Sequence, residues 1–436
     1  MLNFDFKRYH QKLERCEPIL VRGKVTKVVG LVVEGAGVKA AIGDICEIIT
    51  NGKKVEAEVI GFKENTLLLM PFGEIRGILP GSEILHLERH ATIGVGRALL
   101  GRIINALGEP LDNKGTIETE EEYPLYNTSS NPLKRISIDT PFDVGIRSIN
   151  GLLTLGKGQR IGIFSGSGIG KTTLLGMMVR NAKADVKIVA LIGERGREVR
   201  DFIEKHIRDA MDKTILIVAT SDQPSLLRMR GAFVATAIAE YFRDQGKDVL
   251  LIMDSLTRLA MAQRELGLSI GEPPTTKGYT PSVFAILPKL LERAGRWSQG
   301  SITGLYTVLV EGDDMTEPIA DATRAILDGH IVLTRELARQ NQYPPIDILS
   351  SISRVMPDIV DKQHLHLANE FRDTLAVYKS AEDLINIGAY VKGSNPRIDR
   401  ALNLIDKIRA YLRQDMEESI SFEESLIQLK EIFHEV

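Results

Sequence analysis

Cysteine is nearly absent. Cys16 and Cys46 are the two in 436 residues, too few for a disulfide framework and without metal-ligand spacing, so a reducing compartment is the simpler expectation. Long apolar runs are missing as well: no uncharged stretch approaches the roughly 20 residues that span a bilayer, so any membrane association has to pass through partners or a surface contact. Residues 1–8 lack the apolar run of about 7–15 residues of an export signal, and the expected location is the cytoplasm. The chain also lacks an excess charge of one sign. Fifty-five basic against 58 acidic side chains leave a net charge of −3, a poor footprint for sequence-independent nucleic-acid binding. No internal repeat or low-complexity tract stands out.

What is present is an ordinary globular composition, 43% hydrophobic and 26% charged, in a chain longer than the roughly 250–300 residues at which single cores stop growing. Two or three domains are expected. Residues 4–15 have the spacing of a short amphipathic helix, with Phe4, Phe6, Tyr9 and Leu13 on one side. From about 19 to 90, short apolar runs broken by glycine and Asn-Gly signals predict a small β-barrel. Between about 91 and 150 the chain is rich in Gly, Pro, Asn and Thr; few core residues are expected there, and the acidic run Glu118–Glu122 reads as a solvated loop. After 150, buried-type runs at 160–164, 187–193, 214–220, 248–253, 303–310 and 330–334 alternate with helical segments such as 171–183, 197–210, 224–244 and 318–327. That alternation is the signature of a parallel sheet covered on both faces. From about 361 helical spacing takes over.

The strongest chemical signal is the strand Arg160–Phe164 followed by Ser165-Gly166-Ser167-Gly168-Ile169-Gly170-Lys171-Thr172-Thr173 and an apolar helix. A glycine-rich turn lets backbone N–H groups of Ser167, Gly168, Ile169, Gly170 and Thr173 approach phosphate oxygens, and the helix N-terminus adds its dipole. Lys171 would neutralise the β- and γ-phosphates of ATP, and Thr172 would ligate Mg²⁺. Ser165 stands where the usual Walker A pattern opens with Gly. The flanking strand and helix supply the context that separates a nucleotide loop from a chance flexible turn.

Asp248–Asp254 is a continuous apolar run ending in an acid, which suits a central parallel strand whose carboxyl end faces the ligand. Asp254 would orient Mg²⁺ through water; alone, such a residue could equally cap the next turn. Glu194 follows the run Val186–Gly193 and could polarise an attacking water, although a carboxylate in a charged turn is more often a surface ion-pair partner. Arg354 lies after the sheet strands, where an arginine finger and an ordinary surface arginine are both open readings. Tyr343, beside Pro344 and Pro345, offers a face for adenine or simply packs its loop. His86 and His90 have the i,i+4 spacing of helix metal ligands, but no third ligand is evident, and they read as structural. His364 and His366 read as a polar pair.

Together these residues resemble the family that includes the catalytic subunit of rotary ATP synthases and, more closely, the flagellar and type III secretion ATPases. The runs Gly193–Val199, Met253–Arg258, Gly271–Pro274, Glu311–Met315 and Ile326–Leu333 also look like that export branch, and the likeness covers nearly the whole chain. It implies a partner-binding helix at 1–18, a β-barrel domain at 19–92, a RecA-like P-loop ATP-binding domain at 93–360 and a helical domain at 361–436. It further implies a homohexameric ring with ATP at subunit interfaces. In it Glu194 matches the catalytic glutamate, Arg195 a phosphate-binding arginine, Tyr343 the adenine-stacking tyrosine and Arg354 the finger inserted into the next subunit's site.

The partners implied are a dimeric regulatory protein at the N-terminal helix, a coiled-coil stalk in the pore, export-gate membrane proteins and substrate–chaperone complexes. The chain would then be peripheral at a membrane-embedded export apparatus, with ATP hydrolysis coupled to delivery or unfolding of cargo, in a flagellum by preference over an injectisome. The segment Gly271–Tyr279 either borders the pore or is an ordinary loop. Ile385–Tyr390 stands where an ATP synthase subunit would carry an acidic motif, and a non-catalytic subunit would lack Glu194. A hexameric RNA translocase would need aromatics interleaved with a basic track in the barrel, where only Phe62 and Phe72 occur between 19 and 90.

Overall fold

Alternation of inward apolar and outward polar residues builds the first part of the chain. In the computed structural model, which describes residues 21–127 and 132–433, six strands close a barrel: β1 (Arg22–Val29), β2 (Val32–Ala36), β3 (Asp44–Thr50), β4 (Lys53–Lys63), β5 (Thr66–Pro71) and β6 (Glu83–His90), in the order β1-β2-β5-β4-β3-β6. Val25, Val33, Cys46, Ile48, Val59, Leu69 and Ile84 fill its interior. Between β3 and β4, Asn51 (φ 48°) and Gly52 (φ 75°) both adopt left-handed backbone, the requirement of a tight hairpin turn matched to strand twist. His86 and His90 lie on β6, not on a helix, and both contact the buried carboxylate of Asp44. The expected helix at 1–18 lies outside the described residues.

The chain divides into two compact units, the first of residues up to Thr92 with 269–271 and the second of the remainder. In the second unit the sheet order is β14 (Ile346–Ser353), β13 (Gly329–Leu333), β8 (Arg160–Ser165), β12 (Ser301–Leu309), β11 (Asp248–Asp254), β9 (Val186–Ile192), β10 (Thr214–Ala219), β7 (Ile103–Asn105). All pairings along this path are parallel except that of β14, which runs antiparallel to β13 at the edge. Every residue of β9 and β10 is buried, as expected of strands covered on both faces.

Three expectations change. The segment 91–150 holds more core than its composition suggested: Ile93, Val95, Leu99, Ile104, Leu125, Phe142, Val144, Ile146 and Ile149 are all buried. Two long-range pairings account for this: β7 adds a strand to the sheet edge, and Phe142, Val144, Ile146 and Ile149 join an apolar cluster with the C-terminal helices. Glu120, in the acidic run, is not merely solvated, since it accepts from Arg97 N at 2.9 Å and Tyr241 Oη at 2.7 Å. The helix expected over 197–210 is α-helical only over Gly196–Phe202, then widens into a π-turn at Ile203–Ile207 and tightens into a 3₁₀ turn at Arg208–Lys213. There His206 passes so close to Gly176 that a Cβ on that glycine would lie 2.5 Å from the His206 Cβ.

The C-terminal part is helical, as Lys362–Asn386, Pro396–Leu412 and Phe422–Phe433. Phe371, Leu404, Ile408, Tyr411 and Leu429 share one apolar cluster with Phe142, Ile149, Leu174 and Met178 of the nucleotide-binding part. His364 and His366 do not form a pair. His364 is buried with Nε2 2.7 Å from Gly151 O, whereas His366 is exposed, 3.9 Å from Glu370. Among the described residues no helix is long and apolar enough to cross a membrane.

Candidate active site

Because β8, β12, β11 and β9 are parallel neighbours, whatever follows their carboxyl ends is delivered to one edge of the sheet. The loop after β8 leads into the helix Lys171–Asn181, Asp254 ends β11, and Glu194 follows β9 by two residues. The fold thus brings together three residues far apart in sequence. Gly168 (φ +74°) and Gly170 (φ +112°) take left-handed backbone in the loop, and a Cβ on Gly168 would meet nothing within 4 Å, so the loop backbone is open on that side. Ile169 is buried beneath it, Ser167 and Thr172 are exposed, and Thr173 is half-buried.

Lys171 Nζ contacts Asp254 Oδ1 and lies 3.9 Å from Glu194 Oε1. Asp254 Oδ1 also accepts from Thr307 Oγ1 at 2.6 Å. The side chains of Lys171, Glu194 and Asp254 are 10%, 14% and 6% exposed. Glu194 Oε1 is buried without a hydrogen-bond partner. Burial pushes the Glu194 carboxyl up to about 7; the neighbouring Asp254 charge adds to the shift and Lys171 opposes it. A buried carboxyl poised near neutrality is what a general base requires.

Arg195, Tyr343 and Arg354 fare differently. The Arg195 side chain is 80% exposed and pairs with Glu198 at 3.7 Å, so it stands outside the buried cluster. Tyr343 lies beside the loop: two of its ring carbons would be 3.7 and 3.8 Å from a Cβ on Gly170. Its ring is half-exposed and its carbonyl accepts from Gln414 N at 2.9 Å. Arg354 follows the end of antiparallel β14, where Ser353 pairs with Gly329 at the start of β13. It therefore sits at the amino edge of the sheet, opposite Lys171, with its N–H on Asp328 O at 3.0 Å and Nη2 on Arg324 O at 3.3 Å. A strand of five residues is roughly 16 Å long, so Arg354 cannot serve the site of its own chain.

Sequence reasoning did not single out Thr307, Arg335 or Arg258 as site residues. Arg335 Nη2 donates to Ser167 O at 3.1 Å, bracing the glycine loop from the helix after β13. The Arg258 stem occupies the space beside Gly193, where a Cβ would lie 2.9 Å from its own Cβ, and its Nε is buried without a partner. Arg258 follows Asp254 by four residues, in the first turn of the helix Leu256–Ser269, and was legible on that ground; nothing local marks Thr307. A cleft of about 470 Å³ opens beside the loop, lined by Ser167, Arg258, Arg264, Lys277, Glu311 and Arg335 among others. Its cationic walls suit a polyanion.

The donor set fits MgATP rather than a dedicated metal cage. Among the described residues no three His, Cys, Asp or Glu gather to hold a metal, and Mg²⁺ in nucleotide sites takes one or two protein oxygens, the rest coming from phosphates and water. Thr172 is exposed at the start of the helix and Asp254 ends β11, and these are the residues that would hold the ion, Asp254 through water.

Comparison with known proteins agrees with this geometry. Residues 145–353 match the nucleotide-binding domain of the ATP synthase alpha/beta family, 25–88 its beta-barrel domain, and 360–431 the T3SS EscN ATPase C-terminal domain. The flagellum-specific ATP synthase of Bacillus subtilis is 53% identical over 417 residues, covering 93% of this chain and 94% of that protein. The type 3 secretion system ATPase of Xanthomonas euvesicatoria is 48% identical, covering 93% and 92%. The assembled ATPase EscN of an enteropathogenic E. coli type III secretion system superposes with a TM-score of 0.90 at 46% identity, covering 94% of this chain and 99% of that one. A second EscN structure, in complex with its central stalk EscO, gives 0.88. The chain is a P-loop ATPase of the ATP synthase alpha/beta family, in its flagellar and type III secretion branch.

Proposed function

We propose that this chain is the ATPase of a protein-export apparatus and hydrolyses MgATP at sites shared between copies in a homohexameric ring. The observation that carries the reading is the convergence of Lys171, Asp254 and Glu194 at one sheet edge, with a Glu194 oxygen buried and unbonded. The N–H groups of Ser167–Thr173 and the Lys171 ammonium hold the phosphates, and Tyr343 offers its ring to adenine. Mg²⁺, held by Thr172 and through water by Asp254, would neutralise charge on the phosphate oxygens. Glu194 accepts the proton of the water whose oxygen bonds to the γ-phosphorus, while the bond from that phosphorus to the bridging oxygen breaks and ADP leaves.

Arg354 lies at the opposite sheet edge, which suits a finger supplied to the next copy. Arg195, exposed here, would reach phosphate only at such an interface. A central coiled-coil stalk is proposed by analogy with the EscN–EscO complex. A dimeric regulatory protein at 1–18, export-gate proteins and substrate–chaperone complexes, at the cytoplasmic face of the apparatus, complete the proposal. In the barrel Phe62 is exposed and Phe72 buried, whereas a nucleic-acid track would need a row of exposed aromatics.

The flagellar assignment is the narrower proposal, resting on the Bacillus relative. The match of 360–431 to the EscN C-terminal domain and the EscN superpositions favour the injectisome type instead. Both share the motor chemistry.

The test is MgATPase activity against protein concentration for wild type, Glu194→Gln, Arg354→Ala and an equimolar mixture of the two variants. Specific activity that rises with concentration, two inactive variants and partial recovery in the mixture support shared sites. Concentration-independent activity with Arg354→Ala unaffected would remove the finger in trans and the coupled ring.

A further inference from the structure

The helix that begins with Lys171 ends at Arg180 and Asn181, and both end residues are tied to other segments. Arg180 Nη1 donates to His206 O at 2.7 Å and Nη2 donates to Met416 O. Asn181 Nδ2 donates to Glu418 O at 3.4 Å. His206 belongs to the π-turn that continues the short helix starting directly after Glu194 and Arg195. Met416 and Glu418 belong to the loop between Pro396–Leu412 and Phe422–Phe433. At its other end this loop reaches the base side of the site, through Gln414 N on Tyr343 O at 2.9 Å.

The end of the helix is itself anchored. The buried Lys187 ammonium donates to Val179 O and, at 3.2 Å, to Arg180 O. Gly176 lets the π-turn rest directly on the helix backbone, and single π-turns within helices recur at functional positions. A guanidinium is a planar fork that holds two acceptors in a fixed relation, which neither a lysine nor an amide can do as rigidly.

We propose that Arg180 is a positioning residue that couples the Glu194 segment to the C-terminal helices: by holding His206 O and Met416 O on one guanidinium, it makes displacement of the π-turn and of the 413–418 loop a single event. The proposal rests on the hydrolytic role given to Glu194. A change at the γ-phosphate moves Glu194 and its helix, the π-turn carries that movement to Arg180, and Arg180 passes it to the loop that turns between the last helices. By linkage, holding that loop biases nucleotide affinity by the same factor. Loss of a staple that merely stabilised the fold would lower stability and leave this response intact.

The experiment uses the full chain as wild type, Arg180→Ala, Arg180→Gln and Arg180→Lys, each first checked for folding by thermal unfolding. Hydrogen exchange of 196–213 and of 413–433 is followed without nucleotide, with MgADP and with the non-hydrolysable Mg-AMP-PNP, alongside kcat and KM for MgATP. In wild type, nucleotide slows exchange in both segments. In the Ala and Gln variants protection persists at 196–213 but falls about tenfold at 413–433, KM for MgATP shifts by no more than the roughly tenfold that linkage allows, and kcat drops about tenfold, with Lys restoring part of each. Wild-type protection of 413–433 retained in Ala or Gln, or no nucleotide-dependent protection there in wild type, overturns the proposal. If Ala does not fold, Gln decides by the same readings. A wild-type chain that binds nucleotide but does not hydrolyse it removes the export-ATPase reading, and the exchange measurements still decide Arg180.

Discussion

Two buried carboxylates sit beside cationic or ionisable side chains, one in the barrel and one in the nucleotide site, and they are treated in opposite ways. Both oxygens of Asp44 are used: Oδ1 lies 2.6 Å from His90 Nδ1, and Oδ2 lies 3.0 Å from His86 Nε2 and 2.7 Å from Ala41 N. Burial pushes the Asp44 carboxyl up, but the Ala41 amide and the two histidines outweigh it and hold the group below its ordinary value. Glu194 leaves one oxygen buried and unbonded, and its carboxyl is pushed up to about 7 by burial and Asp254. A satisfied buried carboxylate is architecture, whereas an unsatisfied one spends stability on something outside the chain.

The comparison breaks first at Glu194→Gln. The amide keeps the shape and removes the base, so kcat should fall by about 10³-fold, while the thermal midpoint stays level or rises because no charge remains to be desolvated. Steady-state hydrolysis and a melting curve measure both. Asp44→Asn should do the reverse, losing about 1–3 kcal/mol in urea unfolding, because one of the two acceptor oxygens becomes an amide NH₂ and the negative charge facing His86 and His90 is lost. A Glu194→Gln chain that melts well below wild type would mean that Glu194 is architectural too.

The pH response sharpens the same contrast. Between the ordinary value of 4.5 and the folded value near 7, Glu194 binds more protons in the folded chain than in the unfolded, so its contribution to stability falls as pH rises through that window. Hydrolysis should rise over the upper part of the same window, as the carboxylate forms. For Asp44 the sign is opposite: its contribution is present above 3.8 and is lost as pH falls through the lower folded value. Urea midpoints from about pH 3 to 8 should show Glu194→Gln flattening the upper window and Asp44→Asn the acid one.

Much of this architecture was legible in the sequence, because the decisive signals are local. The glycine loop between a strand and a helix, the apolar run into Asp254 and the alternation of the barrel strands each fix a backbone conformation from neighbouring residues. What escaped depends on pairing across the fold. The core of 91–150 exists because β7 joins a sheet edge and Phe142, Val144, Ile146 and Ile149 pack with the C-terminal helices, both far away in sequence, which no local composition records. The π-turn at 203–207 follows from Gly176, on another helix, admitting His206. Arg354 was legible as a candidate, but its place at the wrong edge of its own sheet required knowing that β14 runs antiparallel. Thr307 carries no local mark, since only strand order sets it beside Asp254.

Lys187 extends the comparison to a buried cation. Its ammonium donates to two carbonyls, yet burial, with a smaller push from Lys213, lowers it to about 8. Hydrogen bonding alone therefore does not hold a charge at its ordinary value; Asp44 has in addition partners that can carry opposite charge. Between 8 and 10.5 the unfolded chain binds the proton more tightly than the folded one, so stability should rise with pH across that window. In Lys187→Met this rise should be absent from urea midpoints, and a rise that persists would place its origin in another group.

Tyr343 gives the smallest effect and marks where the contrast stops applying. What places it at the site is a half-exposed ring against Gly170, not an unsatisfied polar atom. If the ring stacks on adenine, Tyr343→Phe should leave KM for MgATP within about twofold, since the face is kept. Tyr343→Ala should raise KM about fivefold with kcat little changed, the cost of one base–aromatic stack of about 1 kcal/mol. A purine triphosphate and a bare inorganic triphosphate, compared as competitors, separate the base from the phosphates: only the purine should lose affinity in the Ala variant. Equal loss for both would mean that the ring acts by bracing Gly170, and the base would then have to be recognised by other residues.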